Sequence, residues 1–393
     1  MKKIIFILAA SCITFGFAKP MAHQLLKESD KIQVLLEKDV NEALIEVRGP
    51  YYVFNPYDGT RVSSGIINKR FLVHATKDGL KWGEKFPDIH QIYISPRSKN
   101  TSILVNGVQY DGGIAIFKNQ DKISIINEIK IENYLKCILS EQFTLPLENE
   151  VMSAVAIAAR TSAYYICEKN PTALWHVSAN EVGYYGATQL IPHSPVVKAV
   201  DNTKNLVLVS DMNGKKAPFI ATWNEHSAGK TASYPTIFRK DIETPDSSVE
   251  APYANLDKEE SKWSYMISKN ELAMRLGIGN IETIDLFTDK ISNKNYAIRI
   301  NNGSDHQDYD FFAFQEKIGE SNLLSNEFSI SIKDNLVSFT GYGKGHGVGI
   351  CLHSASSMAQ NGEIAIDILN KFYPETQLIN LSSELNESSR SIQ

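Results

Sequence analysis

IENYLKCILSEQ, Ile131–Gln142, followed after a short proline-containing break by EVMSAVAIAARTSAYY, Glu150–Tyr165, is the stretch that decides the fold. In the first segment Leu135, Ile138 and Leu139 recur at i, i+3 and i+4 and mark one face of an amphipathic helix. Tyr134, Ile138 and Glu141 fall at i, i+4 and i+7, which sets Glu141 at the flank of that apolar stripe. In the second segment Ala154, Ala156, Ala158, Ala159 and Ala163 leave little side-chain bulk, so another backbone can approach closely. Thr144-Leu145-Pro146 separates the two helices, because Pro146 cannot continue the first.

Upstream of the helical pair, the runs IQVLL, ALIEVRG, YYVF, FLVHA, QIYIS, SILVNG, GIAIF and KISIINEI alternate with turn signals such as Asp58-Gly59, Asn106-Gly107 and Asp111-Gly112-Gly113. This is an antiparallel-sheet pattern. Downstream, NLVLVS and APFIATW predict a hairpin turning at Asn213-Gly214. The polar segment Lys240–Glu260 predicts a long surface loop, Ser268–Leu276 a helix, and IETIDLFTDK, YAIRINN, FSISIKD and LVSFTG further strands. One last helix is expected over Ser354–Phe372. The fold class is therefore α+β, with a β-rich N-terminal region over residues 32–127 and a mixed helix and antiparallel-sheet core over 128–376. Residues 380–393, rich in Ser, Glu and Asn, have the composition of a disordered tail.

A chain of 393 residues suffices for two or three domains, and 43% apolar against 22% charged residues excludes a disordered or fibrous protein. The net charge of -5 argues against a nucleic-acid-binding surface. MKKIIFILAASCITFGFA, residues 1–18, reads as a secretory signal, with Lys2 and Lys3 before a short apolar run and a small-residue cleavage site at Ala18. A rival reading tethers the chain to the membrane through an acylated Cys12. Either way the chain is expected to be exported to the periplasm or cell envelope. Beyond Cys12, the widely spaced Cys137, Cys167 and Cys351 form neither a disulfide framework nor a zinc pattern and are read as buried thiols.

Five features carry candidate chemistry. Glu141, a carboxylate beside apolar neighbours, is expected to have its charged form disfavoured, which suits a general acid, although spacing alone favours a solvated or ion-paired helix residue. Arg160 either complements the helix dipole and an acidic partner or donates to a polar substrate. GYGKGHGVGI, Gly341–Ile350, holds five glycines in nine positions from Gly341 to Gly349, yet matches neither a dinucleotide fingerprint nor a P-loop. Its His346 is read as a loop anchor or as a donor to a sugar hydroxyl. In WNEHSAGKT, Trp223–Thr231, Glu225 and His226 are adjacent and lack a metal-binding pattern, so no metal or other cofactor is expected. Tyr184, Tyr185 and Trp223 offer rings for stacking on sugars or for a core.

In this order, IENYLKCILSEQ, EVMSAVAIAARTSAYY, WNEHSAGKT and GYGKGHGVGICLHSASSMAQNG leading into ILNKFYPET make the chain, from about Ile32 to Thr376, resemble the SpoIID/LytB family. This is the group of sporulation stage II protein D and amidase enhancers acting on bacterial peptidoglycan. The resemblance implies a lytic transglycosylase with Glu141 as its single acid and base, working on glycan strands stripped of stem peptides and leaving 1,6-anhydro ends. It also implies substrate contacts from Arg160, Lys230 and the loop around His346, to which the residue reading adds Tyr185 as a substrate-stacking ring. The other role it implies is stimulation of a cell-wall amidase without catalysis. The sequence departs from the family at two places. Aligned without gaps, the histidine of a His-Ser-x-Ser-Gly-Gly turn, linked to zinc in some relatives, becomes Asn224, unless His226 takes its place with a shift, and the glutamine of Ser-Gln-x-Gly-Ala becomes Leu352. The segment between Glu141 and Glu150 is also two residues longer than the family pattern.

Overall fold

The computed structural model describes residues 30–382 apart from 188, 189, 243, 246 and 304. The signal segment, Cys12 and the tail beyond 382 lie outside the described residues. Two compact units divide the chain: one takes the N-terminal part up to Pro146 with Ala163–Lys204, the other Leu147–Ser162 and the part from Asn205 onward.

In the first unit the strands are β1 (Lys31–Val40), β2 (Glu42–Arg48), β3 (Tyr51–Phe54), β4 (Arg61–Gly65), β5 (Lys69–Thr76) and β6 (Gly79–Trp82). They continue with β7 (Glu84–Pro87), β8 (Gln91–Pro96), β9 (Ser102–Val105), β10 (Val108–Tyr110), β11 (Gly113–Asn119) and β12 (Lys122–Lys130). After the helices α1 (Ile131–Gln142) and α2 (Asn149–Lys169) come the short β13 (Val177–Ser178), α3 (Ala179–Val182) and α4 (Pro195–Asn202). The strands form a seven-stranded sheet, β13-β1-β12-β11-β8-β3-β4, and a six-stranded sheet, β10-β9-β2-β5-β6-β7. Pairing is antiparallel except between β1 and β13. Alternation sends Ile45 and Val47 of one sheet and Val53, Ile94 and Ile116 of the other into one shared apolar core. Trp82 lies fully buried there, its indole N–H donating to the carbonyl of Ile45 at 3.2 Å.

The helical pair forms as its periodicity requires. Tyr134, Leu135, Ile138 and Leu139 of α1 are buried, while Glu132, Lys136 and Glu141 stay partly exposed. Lys136 meets Asp201 of α4 at 2.6 Å. The helix ends at Phe143, whose N–H bonds the Leu139 carbonyl at 2.8 Å, and the exposed Thr144-Leu145-Pro146 follows. The alanines of α2 are buried throughout.

The second unit takes the start of α2 and the strands β14 (Leu206–Met212), β15 (Lys215–Ala217), β16 (Trp223–Asn224), β17 (Lys262–Ser268), β18 (Thr283–Thr288), β19 (Asn295–Asn301) and β20 (His306–Asp310). Its later strands are β21 (Glu327–Lys333), β22 (Leu336–Tyr342), β23 (Ile350–Cys351) and β24 (Gln377–Asn380). The helices are α5 (Tyr234–Phe238), α6 (Pro252–Leu256), α7 (Lys269–Leu276), α8 (Phe311–Ile318), α9 (Leu352–Gln360) and α10 (Ala365–Phe372). The hairpin at Asn213-Gly214 forms with positive φ at both turn residues. Three expectations change. APFIATW contributes only Ala217 and Trp223 to strands, because Ala221 bonds the hydroxyl of Ser162 on α2 in place of a ladder partner. The segment 240–260 is not a free surface loop: Val249 and Ala251 pair with Thr231 and Gly229, and α6 follows. The last helix is two helices, broken where Gly362 takes a φ of 91°. Among the described residues no helix is long and apolar enough to cross a membrane.

One buried amide fixes the strand that leads into α1. Asn127 donates to the carbonyls of Asp111 at 2.8 Å and Gly113 at 3.0 Å, and accepts from the Tyr184 hydroxyl at 2.6 Å. Asn127→Ala strands three buried polar groups, so it is expected to lower the unfolding free energy by about 2–4 kcal/mol. Urea denaturation followed by circular dichroism checks this; an unchanged midpoint contradicts the role given to Asn127.

Candidate functional site

Glu141 occupies the last turn of α1. Its neighbours Ser140 and Gln142 are both buried, whereas Glu141 is partly exposed, so the helix presents a carboxylate at its end. Of the aromatic candidates in the same unit, Tyr185 is 37% exposed and offers a ring to solvent, while Tyr184 is buried and held by Asn127. The three thiols Cys137, Cys167 and Cys351 are free, and burial pushes those of Cys137 and Cys167 up to about 12, which makes them inert.

In the second unit WNEHSAGKT and GYGKGHGVGI fold against each other. Trp223 and Asn224 pair in parallel with Ile350 and Cys351, His226 and Lys344 exchange backbone hydrogen bonds at 2.9 and 2.8 Å, and Ala232 donates to the Gly347 carbonyl at 2.8 Å. The glycines make this approach possible. At Gly343, with φ of 78°, a Cβ would sit 2.4 Å from the His226 carbonyl oxygen; at Gly349, with φ of 76°, it would sit 2.1 Å from that of Thr222. Behind the pair, the Tyr373 hydroxyl donates to the Thr222 carbonyl and accepts from its N–H, at 2.8 and 2.7 Å.

Side chains of both segments are recruited to hold them. His346 is 7% exposed, its Nδ1 accepts from the Val348 N–H at 3.1 Å, its carbonyl accepts from Asn326, and its ring meets Phe238 edge-on at 5.2 Å. Lys230 pairs with Glu250 at 3.2 Å. Asn224, where the family pattern has histidine, is buried with its amide donating to the carbonyls of Val348 and Ile350 at 3.2 and 3.4 Å. That amide is a structural tie and does not fit a zinc ligand. Among the described residues no group of three or more His, Cys, Asp or Glu side chains is placed to hold a metal. Trp223 is buried.

Arg160 is fully buried. Its Nη1 donates to the Leu206 carbonyl at 3.2 Å, while the Thr161 hydroxyl accepts from the Leu208 N–H at 2.9 Å, so this part of α2 anchors β14.

The paired segments also gather residues that sequence spacing did not point to. The rings of His226 and His353 lie 4.6 Å apart, and His353 Nε2 meets Asp257 Oδ2 at 2.8 Å. Because His226 Nδ1 accepts from the Ala228 N–H at 3.1 Å, its neutral ring carries the proton on Nε2, which is buried with no hydrogen-bond partner among the described residues. Burial, and next the proximity of His353, push the His226 imidazole down to about 4. Lys294, 1% exposed, donates to the Ser227 carbonyl at 2.6 Å and to Glu327, which Lys258 also meets at 2.5 Å. Burial lowers the Lys294 ammonium from its ordinary range, against the opposing pull of Glu327. Asp257, Lys294 and Glu327 come from distant parts of the chain, so no local pattern announces them.

Two outcomes follow from this arrangement. The folded-state value of His226 lies below the ordinary 6.5, so the unfolded chain takes up the proton first. The stability it contributes is intact above pH 6.5 and is lost as pH falls through the window from 6.5 to about 4. Thermal unfolding midpoints should therefore fall across that window, and fall less in His226→Gln; parallel curves would contradict the assignment. Lys294→Met removes one partner of a buried ion pair and one donor to Ser227, and is expected to cost about 3–5 kcal/mol of stability by denaturant titration.

The chain is similar in sequence to several known proteins. The family model SpoIID, described as stage II sporulation protein, matches residues 119–209, a span that contains Glu141, Arg160 and Tyr185. An uncharacterized protein of Chlamydia pneumoniae is 33% identical over 217 residues, covering 53% of this chain and 79% of the relative. An uncharacterized protein of Brachyspira hyodysenteriae is 28% identical over 349 residues, covering 85% and 89%. Stage II sporulation protein D of Bacillus subtilis is 21% identical over 281 residues, covering 67% and 78%. With the family's motifs in order along two folded units, the chain belongs to the SpoIID family and carries the cell-wall-related role of that membership.

Proposed function

We propose that this chain is an exported lytic transglycosylase that cleaves peptidoglycan glycan strands stripped of their stem peptides. The observation that carries the reading is Glu141, a partly exposed carboxyl on the last turn of α1, inside the family-matched span and between two buried residues. Glu141 protonates the glycosidic oxygen as the bond from C1 of N-acetylmuramic acid breaks. The resulting carboxylate then takes the proton of the same sugar's 6-hydroxyl, whose oxygen closes onto C1. A 1,6-anhydro end forms, the acid is regenerated, and no water enters the product. One carboxyl thus serves both steps, where hydrolysis uses two.

Tyr185, exposed, is proposed to stack on a sugar, and Lys230 to donate to the strand from the rim of its ion pair with Glu250. Arg160 and His346, both buried, are proposed to serve substrate binding by positioning the segments they anchor. Export to the periplasm or envelope rests on the N-terminal signal pattern, and the strand is the partner this chemistry requires.

A second reading, a non-catalytic activator of an N-acetylmuramoyl-L-alanine amidase, is favoured by the two departures. Asn224 is committed to backbone carbonyls, and Leu352 is buried where the family carries a glutamine. Amidase-treated strands incubated with the protein and analysed by mass spectrometry separate the two. Transglycosylase action yields 1,6-anhydro ends that fall at least about a thousandfold in Glu141→Gln, the order expected on losing a general acid and base. Absence of such ends, together with faster turnover by an added amidase, would leave the activator reading standing.

A further inference from the structure

One end of the first unit's two sheets carries apolar side chains that its core does not use. Three connections meet there: residues 49–50 between β2 and β3, 66–68 between β4 and β5, and 97–101 between β8 and β9. They are tied to one another. The Gly49 N–H donates to Asn68 Oδ1 at 3.1 Å, and the Pro50 carbonyl accepts from the Arg97 N–H at 2.9 Å and from the Thr101 hydroxyl at 2.7 Å. At Gly49, with φ of 109°, a Cβ would lie 3.0 Å from Thr101 Oγ1, so the first and third connections touch. The middle connection is thereby held at its base, and from it Ile66 and Ile67 stand 76% and 75% exposed. Phe71, early in the adjoining β5, is half exposed as well.

The same end is basic. Arg48 closes β2, Lys69 and Arg70 open β5, and Arg97 and Lys99 belong to the third connection. Two carboxylates answer part of this charge: Glu46 meets Arg48 at 2.6 Å and Arg70 at 3.4 Å, and Glu84 meets Lys69 at 2.7 Å. The Arg97 guanidinium rests 5.3 Å from the centre of the Tyr52 ring, a contact that leaves its charge in place. Arg97 and Lys99 are exposed, and neither meets a carboxylate among the described residues. This end is therefore positive on a chain whose net charge is -5.

Adjacent isoleucines at the tip of an anchored connection, ringed by cations, ask for a partner that is apolar inside and acidic at its surface. A soluble anion satisfies the cations and gives the isoleucines nothing. Three side chains at one sheet end also fall short of the roughly 800 Å² per partner that a stable protein interface buries. A bilayer with acidic headgroups satisfies both demands, with apolar side chains at the acyl boundary and Lys and Arg at the level of the phosphates. We infer that this end of the first unit docks on an anionic lipid surface, with Ile66 and Ile67 penetrating it and Arg48, Arg97 and Lys99 against the headgroups. The docking needs neither the glycan chemistry at Glu141 nor a tether at the N-terminus. It would keep the first unit against the membrane after removal of the signal segment.

Vesicle co-sedimentation of the exported chain from Lys19, which keeps every described residue and lacks Cys12, tests this with phosphatidylcholine vesicles made with and without phosphatidylglycerol. The parent is expected to bind the anionic vesicles at least about tenfold more tightly than the neutral ones, and less tightly as salt rises. Replacing both isoleucines, Ile66→Ser with Ile67→Ser, is expected to weaken anionic-vesicle binding at least about tenfold. Lys99→Glu is expected to weaken it at least about fivefold and to leave the weak binding to neutral vesicles within about twofold. Circular dichroism confirms that each variant is folded, as substitution of exposed residues requires. A parent that binds neither vesicle or both equally, or folded variants that bind anionic vesicles as the parent does, overturns the inference. A parent that binds no vesicle but forms a dimer by light scattering, lost in the double isoleucine variant, overturns it in favour of self-association.

Discussion

The close threading of the glycine loop 341–350 against the segment 222–232 is the constraint on which the second unit's candidate site depends. Without side chains at Gly343 and Gly349 the two backbones meet at distances that a Cβ would forbid. That contact places the carbonyls of Val348 and Ile350 where Asn224 can bond them, and the Ser227 carbonyl where Lys294 can reach it. The energetic consequence is that polar residues which look like site chemistry are occupied with architecture. His346 receives the Val348 N–H, and Asn224 is buried against two carbonyls, so each is costly to replace.

The first unit works by different means. Its two sheets share an aliphatic core supplied by strict alternation, and α1 grows out of β12 at Ile131 without a side-chain cap. Packing of Tyr134, Leu135, Ile138 and Leu139 therefore fixes the helix, and the same packing sets the outward direction of Glu141. A carboxyl held by a rigid helix rather than a loop is well suited to one acid acting twice on adjacent atoms.

Much of this was legible in the residues, and the reasons are local. The bounds of α1 followed from its 3.6-residue period and from Pro146, and the hairpin at Asn213-Gly214 from turn chemistry. Where interactions are distant in sequence, local patterns misled. APFIATW has the composition of a strand, yet its centre bonds Ser162 on α2; the polar segment after Lys240 looks like a solvated loop, yet Thr231 and Gly229 bind it. In the site, His346 and its glycines stood out in composition, while Asp257 beside His353 and Lys294 beneath Ser227 lie 96 and 67 residues from their partners and left no trace. Lys294 in particular sits in a polar run, SNKN, that reads as exposed, and it is buried because Glu327 and a carbonyl satisfy it.

The central claim is that one carboxyl, Glu141, cleaves a glycan strand by internal closure rather than by water. Digestion of stripped strands in water enriched in heavy oxygen tests it most directly. The account predicts new muramic acid ends in the anhydro form with no heavy-oxygen label. Labelled reducing ends would contradict it, since they would show that water, and with it a second activating group, takes part in the reaction.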